Sequence, residues 1–82
     1  MKIDPDKVDD AVLALLWLGV FDEFGSTWKT FDWSAMDRLH AKDFVSNPRG
    51  RQKSVVLSSE GRARAEALCR AMFAREQLLN DR

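Results

Sequence analysis

Apolar residues recur at helical spacing in three stretches of the chain, and each stretch opens with its own start signal. In "IDPDKVDDAVLALLWLGVFDEF", Val8, Val12, Leu15, Leu16 and Gly19 line one side of a helix, while Leu13, Trp17 and Val20 put apolar surface on another. Asp4 suits an N-cap, Pro5 the first helical position and Asp6 the positive end of the helix dipole. The pattern predicts a helix from Pro5 to Val20. A helix that is apolar almost all round is either central or meets a second chain.

The second helical run, "FDWSAMDRLHAKDFV", has Asp32 as its cap and Trp33, Met36, Leu39 and His40 recurring behind it, with an end near Lys42. Between these runs, "DEFGSTWKTF" (residues 22–31) is the loosest segment. Gly25, Ser26 and Thr27 read as a break, after which Ser26 or Thr27 caps a single turn holding Trp28 and Lys29. Trp28 and Phe31 then share a face, which is expected to pack on the first helix, the alternative being an exposed aromatic binding platform.

After Lys42 the period changes from helical to alternating. Asp43 leads into a strand at Phe44 to Ser46, and "NPRG" fits a type I turn with Asn first, Pro second and Gly fourth. The chain returns through Lys53 to Leu57, with Val55 and Leu57 facing one way and Val56 the other. A two-stranded hairpin is not stable alone and must pack on a helix. The last run, "SSEGRARAEALCRAMFAREQLLNDR", has Ser58 as its cap and Glu60 in its first turn. Ala65, Leu68, Met72 and Leu79 form its inward stripe, widened by Cys69 and Phe73. No repeat or linker interrupts this order, so residues 1–82 read as one domain. Its expected core is Val12, Leu15, Leu16, Trp33, Met36, Leu39, Val55, Leu57, Leu68 and Met72.

Composition adds constraints. A chain of 82 residues buries about 60–65% of its unfolded surface, so self-association would be a natural supplement to its stability. One cysteine precludes an internal disulfide and fits a reduced, cytoplasmic setting. The acidic N-terminus lacks a signal-peptide pattern, and the apolar run from Ala11 to Phe21 falls short of the roughly 20 residues that cross a bilayer. No membrane association is expected. Net charge is zero, but residues 1–37 hold three lysines against eight acids (−5), and residues 38–82 hold ten lysines and arginines against five acids (+5). Either a basic face is aimed at phosphate, or the two halves complement each other within one chain or across a dimer.

Candidate catalytic chemistry is thin. His40 and Cys69 are the only residues of their kinds, and both sit at helical spacing beside apolar neighbours, as packed side chains do. Asp37, His40 and Asp43 are three apart, but one histidine with no second ligand cluster is a poor metal site. The chain has no phosphate-binding loop, glycine-rich dinucleotide turn or Gly-x-Ser-x-Gly elbow. No enzyme, metal or cofactor is expected.

Binding residues stand out more. If the second helix entered a DNA groove, Ser34, Asp37, Arg38, Ala41 and Lys42 would face outward, with Arg38 and Lys42 able to reach bases or phosphates. Asp32 and Asp37 oppose this near the helix N-terminus. Arg49, Arg51 and Lys53, with Gln52 among them, form a basic hairpin tip. The competing expectation is a protein interface built on Leu13, Trp17, Val20 and Trp28, used for a homodimer or for another protein in the manner of an adaptor or inhibitor.

The segment "MDRLHAKDFV…KSVVLSSEGRARAEAL" resembles the end of winged-helix transcription regulators of the PadR and MarR types. There a helix runs into a hairpin wing and an "EG" motif opens the next helix. More closely, "DKVDDAVLALLWL", "WKTFDWSAMDRLHAKDFV" and "RQKSVVLSSEG" resemble a family of small bacterial proteins known as a domain of unknown function, over about residues 6–73. That family usually has Gly at the position of Asp43 and Thr at that of Ser58. The resemblance implies a small, mainly α, α+β domain of winged-helix-like order: helix, turn, helix, two-stranded wing, helix. Compared with full winged helices, the chain before the "DW" helix is too short for a proper bracing helix. Together these features set an expectation of a non-enzymatic regulatory protein that binds double-stranded DNA as a homodimer. The alternative is a protein–protein interaction module.

Overall fold

The computed structural model describes residues 1–29 and 32–75, with the order α1 (Pro5–Leu18), β1 (Ser26–Trp28), α2 (Trp33–Ala41), β2 (Ser54–Val56) and α3 (Ser59–Phe73). The chain is α+β and mainly helical, with one two-stranded antiparallel sheet. Phe31 and Leu79, expected to pack inward, lie outside the described residues.

Each helix begins where its cap predicts. The side chains of Asp4, Asp32 and Ser58 accept from the backbone N–H of Asp6, Ala35 and Gly61, satisfying donors that the first turn leaves free. Helix α1 stops at Leu18, two residues before the expected end, because Gly19 leaves helical geometry. Helix α2 closes in a Schellman arrangement, with Asp43 N–H donating to His40 O at 2.9 Å and Phe44 N–H to Leu39 O at 3.0 Å. Asp43 accordingly has φ of 63°, the left-handed conformation that favours glycine.

The sheet is where the sequence-based expectation needs correcting. Residues 26–28 form strand β1, not a capped helical turn, with Ser26 opposite Val56, Thr27 opposite Val55 and Trp28 opposite Ser54. The segment expected as a full strand at 44–46 contributes a single bridge, Val45 to Leu57, supported by Ser46 N–H donating to Val56 O. So β2 takes the distant β1, and not the adjacent segment, as its main partner. Two tethers fix β1. The carboxylate of Asp22 accepts from Phe24 and Ser26 N–H and shapes the preceding turn. Buried Thr27 donates its hydroxyl to Leu16 O at the end of α1, at 2.9 Å.

The core gathers Val12, Leu13 and Leu16 of α1, Ala35, Met36 and Leu39 of α2, Val45, Val55 and Leu57 around the sheet, and Ala65 of α3. Leu68 packs against it half-buried, and Val56 faces outward as the alternation predicts. Leu15, Trp33 and Met72, all expected inside, are 39, 50 and 43% exposed. Helix α1 turns its Asp9–Val12–Leu13–Leu16 side inward, which rotates Leu15 out. Trp33 at the start of α2 and Met72 at the end of α3 lie outside the buried cluster.

Candidate nucleic-acid interface

The five cations expected to bind nucleic acid divide into two groups. Arg38 and Lys42 sit one turn apart on α2 and face α1. Arg38 Nε lies 2.8 and 3.0 Å from the two carboxylate oxygens of Asp9, and its Nη2 lies 2.7 Å from Oδ1. Lys42 Nζ is 3.4 Å from Asp9 and 3.6 Å from Asp6. The Asp9 side chain is completely buried, while those of Arg38 and Lys42 are more than a third exposed. The guanidinium beside Asp9 holds its carboxyl below the usual carboxylate range, against the opposing effect of burial. Asp9 in turn raises the pKa of Arg38. These cations therefore clamp α2 to α1. Spacing carried the signal: Asp6 and Asp9 on one helix and Arg38 and Lys42 on the other form complementary stripes, once the helices are known to meet.

The other three cations belong to the 47–53 turn. Gly50 N–H and Asn47 O close it, Arg49 N–H donates to the Asn47 side chain, and Pro48 is buried. Lys29, just after β1, reaches across to donate its ammonium to Pro48 O at 2.6 Å and Gly50 O at 2.7 Å. Arg49 is paired with Asp37 at 2.6 and 3.2 Å, which lowers the pKa of Asp37 and raises that of Arg49. Arg49 also lies 4.9 Å from the centre of the Trp33 ring, and Lys29 5.7 Å from it. Trp33 is thus a half-exposed platform for two cations, not a core residue. Lys29 was missed from sequence because nothing local announces a contact to carbonyls far along the chain.

Arg51 and Lys53, with Gln52 between them, are exposed at the end of this braced turn and have no ion-pair partner among the described residues. The structure therefore keeps Arg49, Arg51 and Lys53 on one turn, with the Lys29 ammonium reaching it from the end of β1, and places Arg38 and Lys42 elsewhere. Helix α2 would offer a groove chiefly Asp32, Ser34 and an already paired Asp37.

The expected interface residues also separate. Leu13 is wholly buried within the chain, so it cannot meet a partner. Trp17 and Val20 are half-buried against the core. Trp28 is 53% exposed and stacks on Phe21, ring centres 4.8 Å apart. His40 Nδ1 lies 3.0 Å from Val45 O, whereas Cys69 lines a groove between α1 and α3. Among the described residues, no three of His, Cys, Asp and Glu are grouped as a metal would need, and no helix is long and apolar enough to cross a membrane.

Residues 4–75 match the family described as a domain of unknown function, DUF6429. The chain is also 51% identical over 75 residues to an uncharacterized protein, y4hR, of Sinorhizobium fredii, which covers 92% of this chain and 100% of that one. No solved structure matches. The likeness to PadR- and MarR-type regulators rests on the motif residues alone.

Proposed function

The chain belongs to the DUF6429 family, and from that premise we propose that it is a non-enzymatic nucleic-acid-binding module that grips phosphates with its braced tip. One observation carries this reading: Arg51 and Lys53 are exposed and unpaired among the described residues, on a turn anchored by Lys29 and by the Arg49–Asp37–Trp33 contact. A pre-ordered turn loses little conformational freedom on binding, so its charges act at full strength. Lys29 and Arg49 add to the local positive potential, and Asp37 offsets part of it.

Such a grip is sequence-tolerant, because phosphates position a duplex without identifying its bases. The salt dependence follows from the number of phosphates met. Between 50 and 200 mM salt, neutralising two phosphates weakens binding about 12-fold, and neutralising four weakens it about 150-fold. The test is a fluorescence titration of random duplex DNA at those two salt concentrations. Binding that falls within that range, and is lost in Arg51→Ala with Lys53→Ala, is the expected result. Absence of binding at low salt overturns the reading.

A second reading, an adaptor or inhibitor that binds another protein, is favoured by the aromatic end of the molecule. There Phe21 and Trp28 stack on each other while 51 and 53% exposed, and Phe24, nearby in the chain, is 66% exposed; aromatic side chains are enriched at protein interfaces. It becomes the leading reading if the DNA titration is flat.

A further inference from the structure

We infer that a second copy of this chain docks on the α1–α3 face, in a two-fold arrangement that sets the Glu66 side chain of each copy against Arg70 of the other. The surface is an open groove of about 290 Å³ lined by Trp17, Leu18, Glu66, Cys69, Arg70 and Phe73. Leu18 and Phe73 are 60 and 45% exposed on its two walls. Leu15, three residues before Leu18 and also exposed, extends the apolar stripe along α1. Leu15, Leu18 and Phe73 thus leave apolar side chains partly exposed on this face, and exposed apolar patches on a monomer are often functional.

The charges at the rim select the occupant. Glu66 and Arg70, one turn apart on α3, pair with each other at 2.7 Å, so this stretch of the face carries both signs and no net charge. Nucleic acid would meet Glu66 as well as Arg70 and gain nothing. A second copy running antiparallel across a two-fold axis meets the same pair in reverse order, so each acid finds a base. The exchange replaces the two exposed pairs, one within each copy, by two pairs across the interface, where they are better shielded from water, and leaves no charge uncompensated. Ala63 and Ala67, one turn apart on α3, are exposed and small enough to let a second helix approach closely. The chain's zero net charge removes long-range repulsion between copies. A protein of this size gains from such an association, because its own core is small.

The measurement is sedimentation of the full chain from about 1 to about 500 µM, with circular dichroism to confirm that each variant folds. Wild type is expected to move from the 9.4 kDa chain mass to twice that value. Glu66→Arg should weaken dimerisation at least tenfold by placing like charges together. Adding Arg70→Glu to it should restore the dimer, because the reversed pair is again self-complementary. Cys69, the chain's single cysteine, lies in the groove between these residues. A short bis-maleimide should therefore join two wild-type chains and fail with Glu66→Arg. A wild type that stays monomeric overturns the inference. So does a dimer indifferent to Glu66→Arg, which would use another face. DNA binding by the tip does not depend on this face, so a monomeric Glu66→Arg that still binds DNA keeps the two proposals apart.

Discussion

Replacing Arg38 by alanine separates a structural cation from a ligand-binding one. The substitution leaves Asp9, which has no solvent exposure, with a single partner, Lys42 at 3.4 Å. Breaking a buried pair by removing one member costs about 3–5 kcal/mol, since the other charge is left uncompensated. Lys42 remains close enough to take over part of the role, which puts the expected loss near 3 kcal/mol. On a domain of this length, with about 4–12 kcal/mol in hand, that removes a quarter or more of the total. It should lower the melting temperature by roughly 12 °C or more. Asp9→Ala should cost less, about 2 kcal/mol, because Arg38 and Lys42 are already partly exposed and can turn into water. Arg38→Met combined with Asp9→Leu should lie within about 1 kcal/mol of wild type, since no buried charge remains. Urea unfolding followed by circular dichroism measures all three. An Arg38→Ala loss below about 1 kcal/mol, equal to that of Asp9→Ala, would show that the clamp is dispensable and would return Arg38 to the list of candidate DNA contacts.

Acid should unfold the protein through the same groups. The carboxyls of Asp9, Asp37 and Asp22 are held below their ordinary value, the first two by arginine hydrogen bonds and Asp22 by the Ser26 backbone. A depressed carboxyl contributes stability that is complete above its unfolded value near 3.9 and is lost as pH falls through the folded value. The urea midpoint should thus hold steady down to about pH 5 and then drop; a midpoint unchanged at about pH 3 would contradict these pairings. Gly61→Ala should cost about 3 kcal/mol or more, because a Cβ there runs into the Phe44 carbonyl, a backbone group already fixed by Ser58 N–H. A measured loss under about 1 kcal/mol would mean that the start of α3 can shift away. Leu39→Ala, at a position 1% exposed, should cost about 2–5 kcal/mol in the same assay. Arg51→Ala, by contrast, should leave the midpoint unchanged.

The parts of this protein legible in its sequence are those governed by neighbours in the chain. Caps at Asp4, Asp32 and Ser58 and the alternation of Val55, Val56 and Leu57 act within a turn or a strand. They specify three helices, the inner face of β2 and most of the core. Asp43, directly after the last turn of the second helix, stands where a helix end commonly takes a left-handed residue, and it does so. The "EG" of the last helix acquires its reason only from the fold, since a side chain at Gly61 would strike Phe44, which is far from it along the chain.

Everything that depends on which elements meet was decided by the tertiary structure. Three residues at 26–28 have too little local preference to declare themselves a strand; they become one because β2 lies beside them and Leu16 O receives the Thr27 hydroxyl. Arg38 and Lys42 look outward on an isolated helix, yet α1 brings Asp9 against them and turns a candidate recognition surface into a clamp. Leu13 has the spacing of an interface residue, but the core closes over it. The sequence determined the three helices, β2 and the charges they carry. The packing decided which charges are spent holding the molecule together and which, at Arg51 and Lys53, stay unpaired among the described residues, because a charge is neutralised only by what comes within a few ångströms of it.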